Sequence, residues 1–126
     1  MKTLGDLIVR RFTGELDNHP QKTVYDLFEW KNVDVLIRDY AKNKVVCDMK
    51  DLEFPVHYSQ NACDIIAAHY FRKAGVPNEV GYERSMREVA HRMVSFWVSA
   101  LLDEGMIDDE IQKQILYDEL VFLLLS

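Results

Sequence analysis

The spacing of apolar and polar residues changes period about halfway along the chain. Between residues 23 and 55 the pattern is short and alternating. Val33, Val35 and Ile37 alternate with Asp34, Leu36 and Arg38, the two-residue period of a strand with one face buried. Asp39-Tyr40-Ala41-Lys42-Asn43 can turn the chain, with Asn43 suited to the left-handed position. Lys44-Val45-Val46-Cys47-Asp48-Met49 then returns as the partner strand. Val24, Leu27 and Trp30 extend the strand-like region upstream, and Pro55 closes it.

From residue 59 the period becomes helical. Ser59 is a good N-cap, and Ala62, Ile65, Ile66, His69 and Tyr70 share one face of a first helix. Gly75-Val76-Pro77 reads as its stop. Met86, Val89, Ala90, Met93, Trp97, Val98 and Leu101 predict a second helix from about Gly81 or Tyr82 to Leu102, with Gly105 as the residue that ends it. A third helix is expected from near Asp108, with Asp109 and Glu110 at the positive end of its dipole and Ile111, Ile115, Leu116, Leu120 and Leu123 along one side. The connection Asp103-Glu104-Gly105-Met106-Ile107 is short, so the last two helices should form an antiparallel pair. Near the front, Leu4, Leu7, Ile8 and Phe12 allow one short helix, and Gly14 to Pro20 reads as a loop. The expected fold is α+β and mostly α: a β-hairpin region followed by three helices, in a single domain spanning residues 1–126.

Composition narrows the function classes. At 126 residues and 48% hydrophobic, the chain can bury a core without staples. Fifteen basic against 21 acidic residues give a formal charge of −6, so general attraction to nucleic acid or anionic lipid is not expected. The longest apolar run, Leu120 to Leu125, is too short to cross a bilayer. The N-terminus does not read as a signal peptide. A cytoplasmic setting with free Cys47 and Cys63 follows as the expectation.

Candidate chemistry is sparse. His19, His57, His69 and His91 lack helical i, i+4 spacing, and neither cysteine sits in a Cys-x-x-Cys pair, so no metal ligand set is expected. Cys63 in the first turn of a helix, with His57 nearby, is the best nucleophile arrangement. The more ordinary reading makes Cys63 a small buried residue, and Cys47 a core residue of its strand. Asp48, Asp51 and Glu53 could form a cation site, but a solvated sheet edge is the commoner outcome. The glycines at 5, 14, 75, 81 and 105 build no phosphate-binding loop. Phe28, Trp30, Tyr58, Tyr70, Phe71 and Trp97 fit core packing better than a ligand pocket. The end of the last helix is apolar all round and stops at Ser126 without an evident cap. That suggests a continuation, or another chain that covers it.

Three stretches together resemble one family. They are Val45 through Glu53-Phe54-Pro55, then Tyr58-Ser59-Gln60-Asn61-Ala62-Cys63-Asp64-Ile65-Ile66-Ala67 leading to Tyr70-Phe71-Arg72-Lys73, then Gly81-Tyr82-Glu83-Arg84-Ser85-Met86-Arg87. Tyr25-Asp26-Leu27-Phe28-Glu29-Trp30 also fits. Their order and separation are similar to the N-terminal region of adenosylcobalamin-dependent (class II) ribonucleotide reductases, over roughly residues 7–125. The chain departs from the family at Tyr58, where Trp is usual, at Cys47, where an aromatic residue is usual, and at Arg84.

The resemblance implies a structural domain of an enzyme that makes deoxyribonucleotides for DNA replication. It implies that the radical cysteine, the redox cysteines and most of the cobalamin site lie downstream on an α/β barrel. No catalytic, cofactor-binding or metal-binding residue is therefore carried over to this chain. Glu53, Phe54, Pro55, Ser59, Gln60 and Asn61 are implied to have structural or interface roles. The implied partner is the barrel, in the same chain or a separate subunit, with a homodimer as a further possibility. The alternative is a stand-alone nucleotide-binding or dimerisation module derived from that domain. A small thiol enzyme using Cys63 and His57 ranks third.

Overall fold

The computed structural model of the chain describes residues 9–19, 21–107 and 109–126. Leu4, Leu7 and Ile8 of the expected first helix, Pro20, and the expected cap Asp108 lie outside them. The described elements are a 3-10 turn at Gly14–Asp17, a second at Val24–Leu27, strands β1 (Trp30–Asp39) and β2 (Lys44–Pro55), and helices α1 (Gln60–His69), α2 (Met86–Asp103) and α3 (Glu110–Leu125). The α+β fold of a hairpin followed by three helices is thus observed. The chain divides into two compact units. The hairpin unit is Glu29–Val89, and the helical unit is built from Met1–Phe28 and Ala90–Ser126.

In the hairpin unit, β1 and β2 pair antiparallel from Trp30–Pro55 to Asp39–Lys44. The expected alternation holds in β1, where Val35 is fully buried and Leu36 is exposed. Asn43 takes the left-handed conformation foreseen for it, with φ of 49°. The ladder has two irregularities that the alternation did not show, between Val33 and Val35 and between Ile37 and Arg38. At the first, Asp51 has φ of 58° and its N–H donates to Asp34 Oδ1 at 2.8 Å. Asn32 Nδ2 donates to Asp51 Oδ1 at 2.6 Å. An aspartate tolerates this backbone because its side chain bonds locally.

Helix α1 starts where expected, with Ser59 Oγ accepting from Ala62 N at 3.1 Å. It ends earlier than Gly75 predicts. Lys73 folds back, and its ammonium donates to the carbonyls of Ala67, Ala68 and Phe71 at 2.8–3.1 Å. A cation bound to the last carbonyls satisfies the helix end and fits its dipole. Gly75 instead sits in the loop that follows, with φ of 73°. The buried side of α1 is Cys63 and Ala67, whereas Ile65 and Tyr70 are about half exposed. The expected stripe was rotated because the core side is set by small residues that let α1 approach the hairpin.

Helix α2 begins at Met86 rather than at Gly81 or Tyr82. Ser85 and Glu88 explain the start. Glu88 Oε1 accepts from the backbone N–H groups of Arg84 and Ser85 at 2.8 and 3.2 Å, and Ser85 Oγ accepts from Arg87 N at 3.1 Å. This is a variant of the capping box, Ser-x-x-Glu, in which the serine takes the N2 rather than the N3 N–H.

In the helical unit, α2 ends as expected at Gly105. Gly105 N donates to Leu102 O and Met106 N to Leu101 O, with Gly105 φ at 74°, which is the Schellman arrangement. Helix α3 is capped by Asp109, whose side chain accepts from Gln112 N at 2.8 Å. His91 Nδ1 and Tyr117 Oη meet at 2.7 Å across the turn between α2 and α3. This contact links α2 to α3.

The expected apolar side of α3 is corrected. Ile111 is 73% and Leu123 52% exposed, while Asp118 and Glu119 are buried together with Val121 and Leu125. The two acids go inside because an N-terminal arm supplies their partners. Arg10 donates to Asp118 at 2.7 Å, and Glu119 accepts the backbone N–H groups of Arg11 and Phe12. The apolar end of α3 is partly covered within the unit, with Val121 and Leu125 buried. Phe122 stacks on Phe12 at 5.5 Å and meets Phe28, tilted by 42°, at 5.1 Å. Ser126 is a cap after all, since its hydroxyl donates to Leu123 O at 3.1 Å.

The region from Val24 to Trp30 is likewise not all strand. Val24–Leu27 forms a 3-10 turn because Thr23 and Asp26 cap one another, with Thr23 N donating to Asp26 Oδ2 at 2.8 Å.

Candidate functional site

The residues singled out for a structural or interface role lie where β2 hands over to α1. Glu53 is half-buried and joins β2 to the segment before α2. Its N–H donates to Arg84 O at 2.8 Å, and its Oε1 accepts from Ser85 Oγ at 2.6 Å and Arg87 Nε at 2.8 Å. The Arg87 guanidinium lies over the Trp30 ring, 4.4 Å from its centroid, so one cation serves a carboxylate and an aromatic face. Phe54 is fully buried and packs on Phe71 at 5.4 Å and Tyr58 at 6.2 Å. Pro55 ends the strand opposite Trp30, and its carbonyl accepts from Tyr58 N at 3.1 Å.

The second part of the group is spent on α1. Ser59 caps the helix. Gln60 Nε2 donates to Asp34 O at 3.0 Å and to Asp64 Oδ1 at 2.8 Å, fastening the helix start to β1. Lys31 Nζ donates to Tyr58 O from the other side. Asn61 differs from the rest. It is exposed, and its side chain reaches no partner among the described residues.

The junction also uses residues of the family-like stretches to which the resemblance assigns no role. Glu83 is buried, accepts from Arg72 N at 2.7 Å, and donates its own N–H to Arg72 O at 2.8 Å. Ser85 and Arg87 complete the junction with Glu53. The Ser85-x-x-Glu88 spacing was the signal that could have located this node in advance.

The thiol arrangement does not form. Cys63 is fully buried, and burial pushes its thiol up, with Lys31 only partly offsetting this. His57 is exposed and sits edge-on to Tyr58 at 4.9 Å. A nucleophilic thiol needs the opposite shift. Burial likewise raises Cys47, against a smaller pull from Lys73. The possible cation site is also dispersed, since Glu53 faces Ser85 and Arg87 while Asp51 closes the bulge with Asn32. Among the described residues no three His, Cys, Asp or Glu side chains converge on a common point.

Two clefts open on the hairpin unit. One of about 500 Å³ is lined by Val46, Cys47, Asp48, Met49, Lys50, Lys73 and Tyr82. The other, of about 470 Å³, lies beside Glu53, Arg84 and Ser85. These suit a small molecule. No described helix is long and apolar enough to cross a membrane.

Hairpin, helix junction and helical pair together define an α+β module whose distinctive polar residues are used to hold its own elements in register. Comparison with known proteins places the module. Residues 32–126 match the N-terminal model of the family described as class II vitamin B12-dependent ribonucleotide reductase, and the chain belongs to that family. It is 31% identical over 102 residues to the vitamin B12-dependent ribonucleotide reductase of Streptomyces avermitilis, covering 80% of this chain and 10% of that protein. The Streptomyces coelicolor protein of the same name is 29% identical over the same length. The Agrobacterium fabrum one is 37% identical over 70 residues, which is 56% of this chain and 5% of that protein. The chain spans about a tenth of the length of the Streptomyces relatives.

Proposed function

We propose that this chain is the N-terminal structural domain of an adenosylcobalamin-dependent ribonucleotide reductase, that it packs on the catalytic barrel in the cytoplasm, and that it carries no chemistry alone. One observation supports this best. Five of the six family-motif residues, Glu53, Phe54, Pro55, Ser59 and Gln60, are spent inside the hairpin unit on cap, core and junction contacts. A catalytic site would leave polar groups aimed at a substrate. Here they are aimed at the protein.

Asn61 is the motif side chain left outward, at the first turn of α1. In this reading it touches the barrel. The test is complementation in trans. The Streptomyces avermitilis relative, shortened by the segment that matches this chain, is mixed with the 126-residue chain and assayed with adenosylcobalamin and a dithiol. Reduction of ribonucleotide is expected from the mixture and not from this chain alone. Asn61→Ala should fold normally and weaken complementation several-fold. Turnover by the 126-residue chain alone would sink the proposal, as would a mixture no more active than the shortened relative.

A further inference from the structure

The helical unit holds a cleft that the reductase reading does not use. It measures about 610 Å³, within the range of small-molecule sites. Three cationic side chains reach it from three separate segments: Arg10 from the arm, Lys22 from the loop before the second 3-10 turn, and Lys113 from α3. Their commitments differ. Arg10 is fixed by Asp118 at 2.7 Å and Asp17 at 3.0 Å. Lys22 and Lys113 stand 3.8 and 3.9 Å from Glu15 and Glu110, beyond hydrogen-bond distance. Those carboxylates are 56% and 83% exposed. Pairs of this kind contribute little and yield readily to a better anion.

The rest of the wall holds two carboxylates, Asp118 paired with Arg10 and Glu110 beside Lys113, and otherwise neutral hydrogen-bonding groups. Tyr25 Oη and Tyr117 Oη are 2.6 Å apart, and Tyr117 Oη reaches His91 Nδ1 at 2.7 Å. These hydrogen bonds engage Nδ1 of His91. The two tyrosines add aromatic surface.

We propose that this cleft binds a small phosphate-bearing molecule, with Lys22 and Lys113 on the phosphate and the Tyr25–Tyr117–His91 wall against its body. A phosphate carries close to two negative charges and three acceptor oxygens, which matches two ammonium groups better than a carboxylate would. On a chain of net charge −6, a general anion would be repelled. Binding therefore has to come from the local arrangement. The inference goes beyond the structural role and stands or falls separately from it.

The test titrates the 126-residue chain, at low salt, with inorganic pyrophosphate, ribose 5-phosphate and AMP, followed by amide NMR shifts. Saturable shifts at Lys22, Lys113 and Gln114 are expected, with a dissociation constant below about 1 mM for at least one probe. The Lys22→Gln/Lys113→Gln double variant should bind about tenfold or more weakly. Lys42→Gln/Lys44→Gln, at the hairpin tip, should match the parent. Tyr117→Phe should weaken AMP or ribose 5-phosphate and leave pyrophosphate unchanged, which tells a carried phosphate from a free one. The proposal is overturned if no probe saturates in the low millimolar range, or if the double variant, folded by circular dichroism, binds as well as the parent.

Discussion

Glu119→Gln tests the most unexpected feature of the helical unit, the buried acid that holds the N-terminal arm. In the parent, Glu119 is 8% exposed and its carboxylate takes both the Arg11 and the Phe12 backbone N–H groups, the latter at 3.0 and 3.1 Å. Hydrogen bonds to a charged group contribute about 1.5–3 kcal/mol each. Glutamine keeps one acceptor oxygen and turns an NH2 donor toward the two N–H groups, so about one bond is lost with its charge. The expected cost is about 2 kcal/mol, or roughly 30-fold in the opening equilibrium of the arm. Hydrogen exchange reads this directly, because the amides in question are the exchanging protons. Exchange at Arg11 and Phe12 should accelerate by that factor, while Glu53 N–H, bound to Arg84 O in the hairpin unit, should not change. If the two arm amides exchange within about threefold of the parent rate, the carboxylate does not hold the arm and the account of α3 is wrong.

Three further outcomes follow from the hairpin unit. Phe54→Ala removes a fully buried ring that packs on Phe71 and Tyr58 and should cost about 3–5 kcal/mol. Urea unfolding followed by Trp30 fluorescence in a Trp97→Phe background checks it, and a loss under about 1 kcal/mol contradicts the packing. Ser85→Ala removes the α2 cap and the bond to Glu53 and should cost about 1–2 kcal/mol; an unchanged urea midpoint would count against the capping box. Burial raises Cys63 above its ordinary value of 9.0, so the fold favours the protonated thiol. That contribution is complete below about pH 9 and is lost as pH rises through the folded value. Urea midpoints should fall above pH 9, less so in Cys63→Ala, and iodoacetamide at pH 8 should label Cys63 only after unfolding. Native labelling at a free-thiol rate would refute its burial.

The features legible in the sequence were those decided by neighbours a few residues away. The alternation at Val33, Val35 and Ile37, the left-handed Asn43, the cap at Ser59 and the stop at Gly105 all depend on local backbone sterics or local hydrogen bonds, and the structure shows each. The misreadings fall where a distant residue decides. Asp118 and Glu119 look like solvent-facing charges until Arg10 and the arm amides, more than a hundred positions away, are placed against them. Ile111 and Leu123 are exposed although they lie seven positions before Asp118 and four after Glu119, on the same faces, so helical period alone does not decide what α3 buries. The early end of α1 is a nearer case. Gly75 was a sound stop, but Lys73 reached the carbonyls first. The junction at Glu53 was half legible. Family resemblance marked Glu53 and the Arg84-Ser85 segment separately, and the Ser85-x-x-Glu88 spacing announced a helix start. Only the fold shows that Glu53, Ser85 and Arg87 form one node. That convergence argues that the family pattern in this region specifies how hairpin and helix starts are joined, and that any surface role must rest on side chains the node leaves outside, of which Asn61 is the clearest.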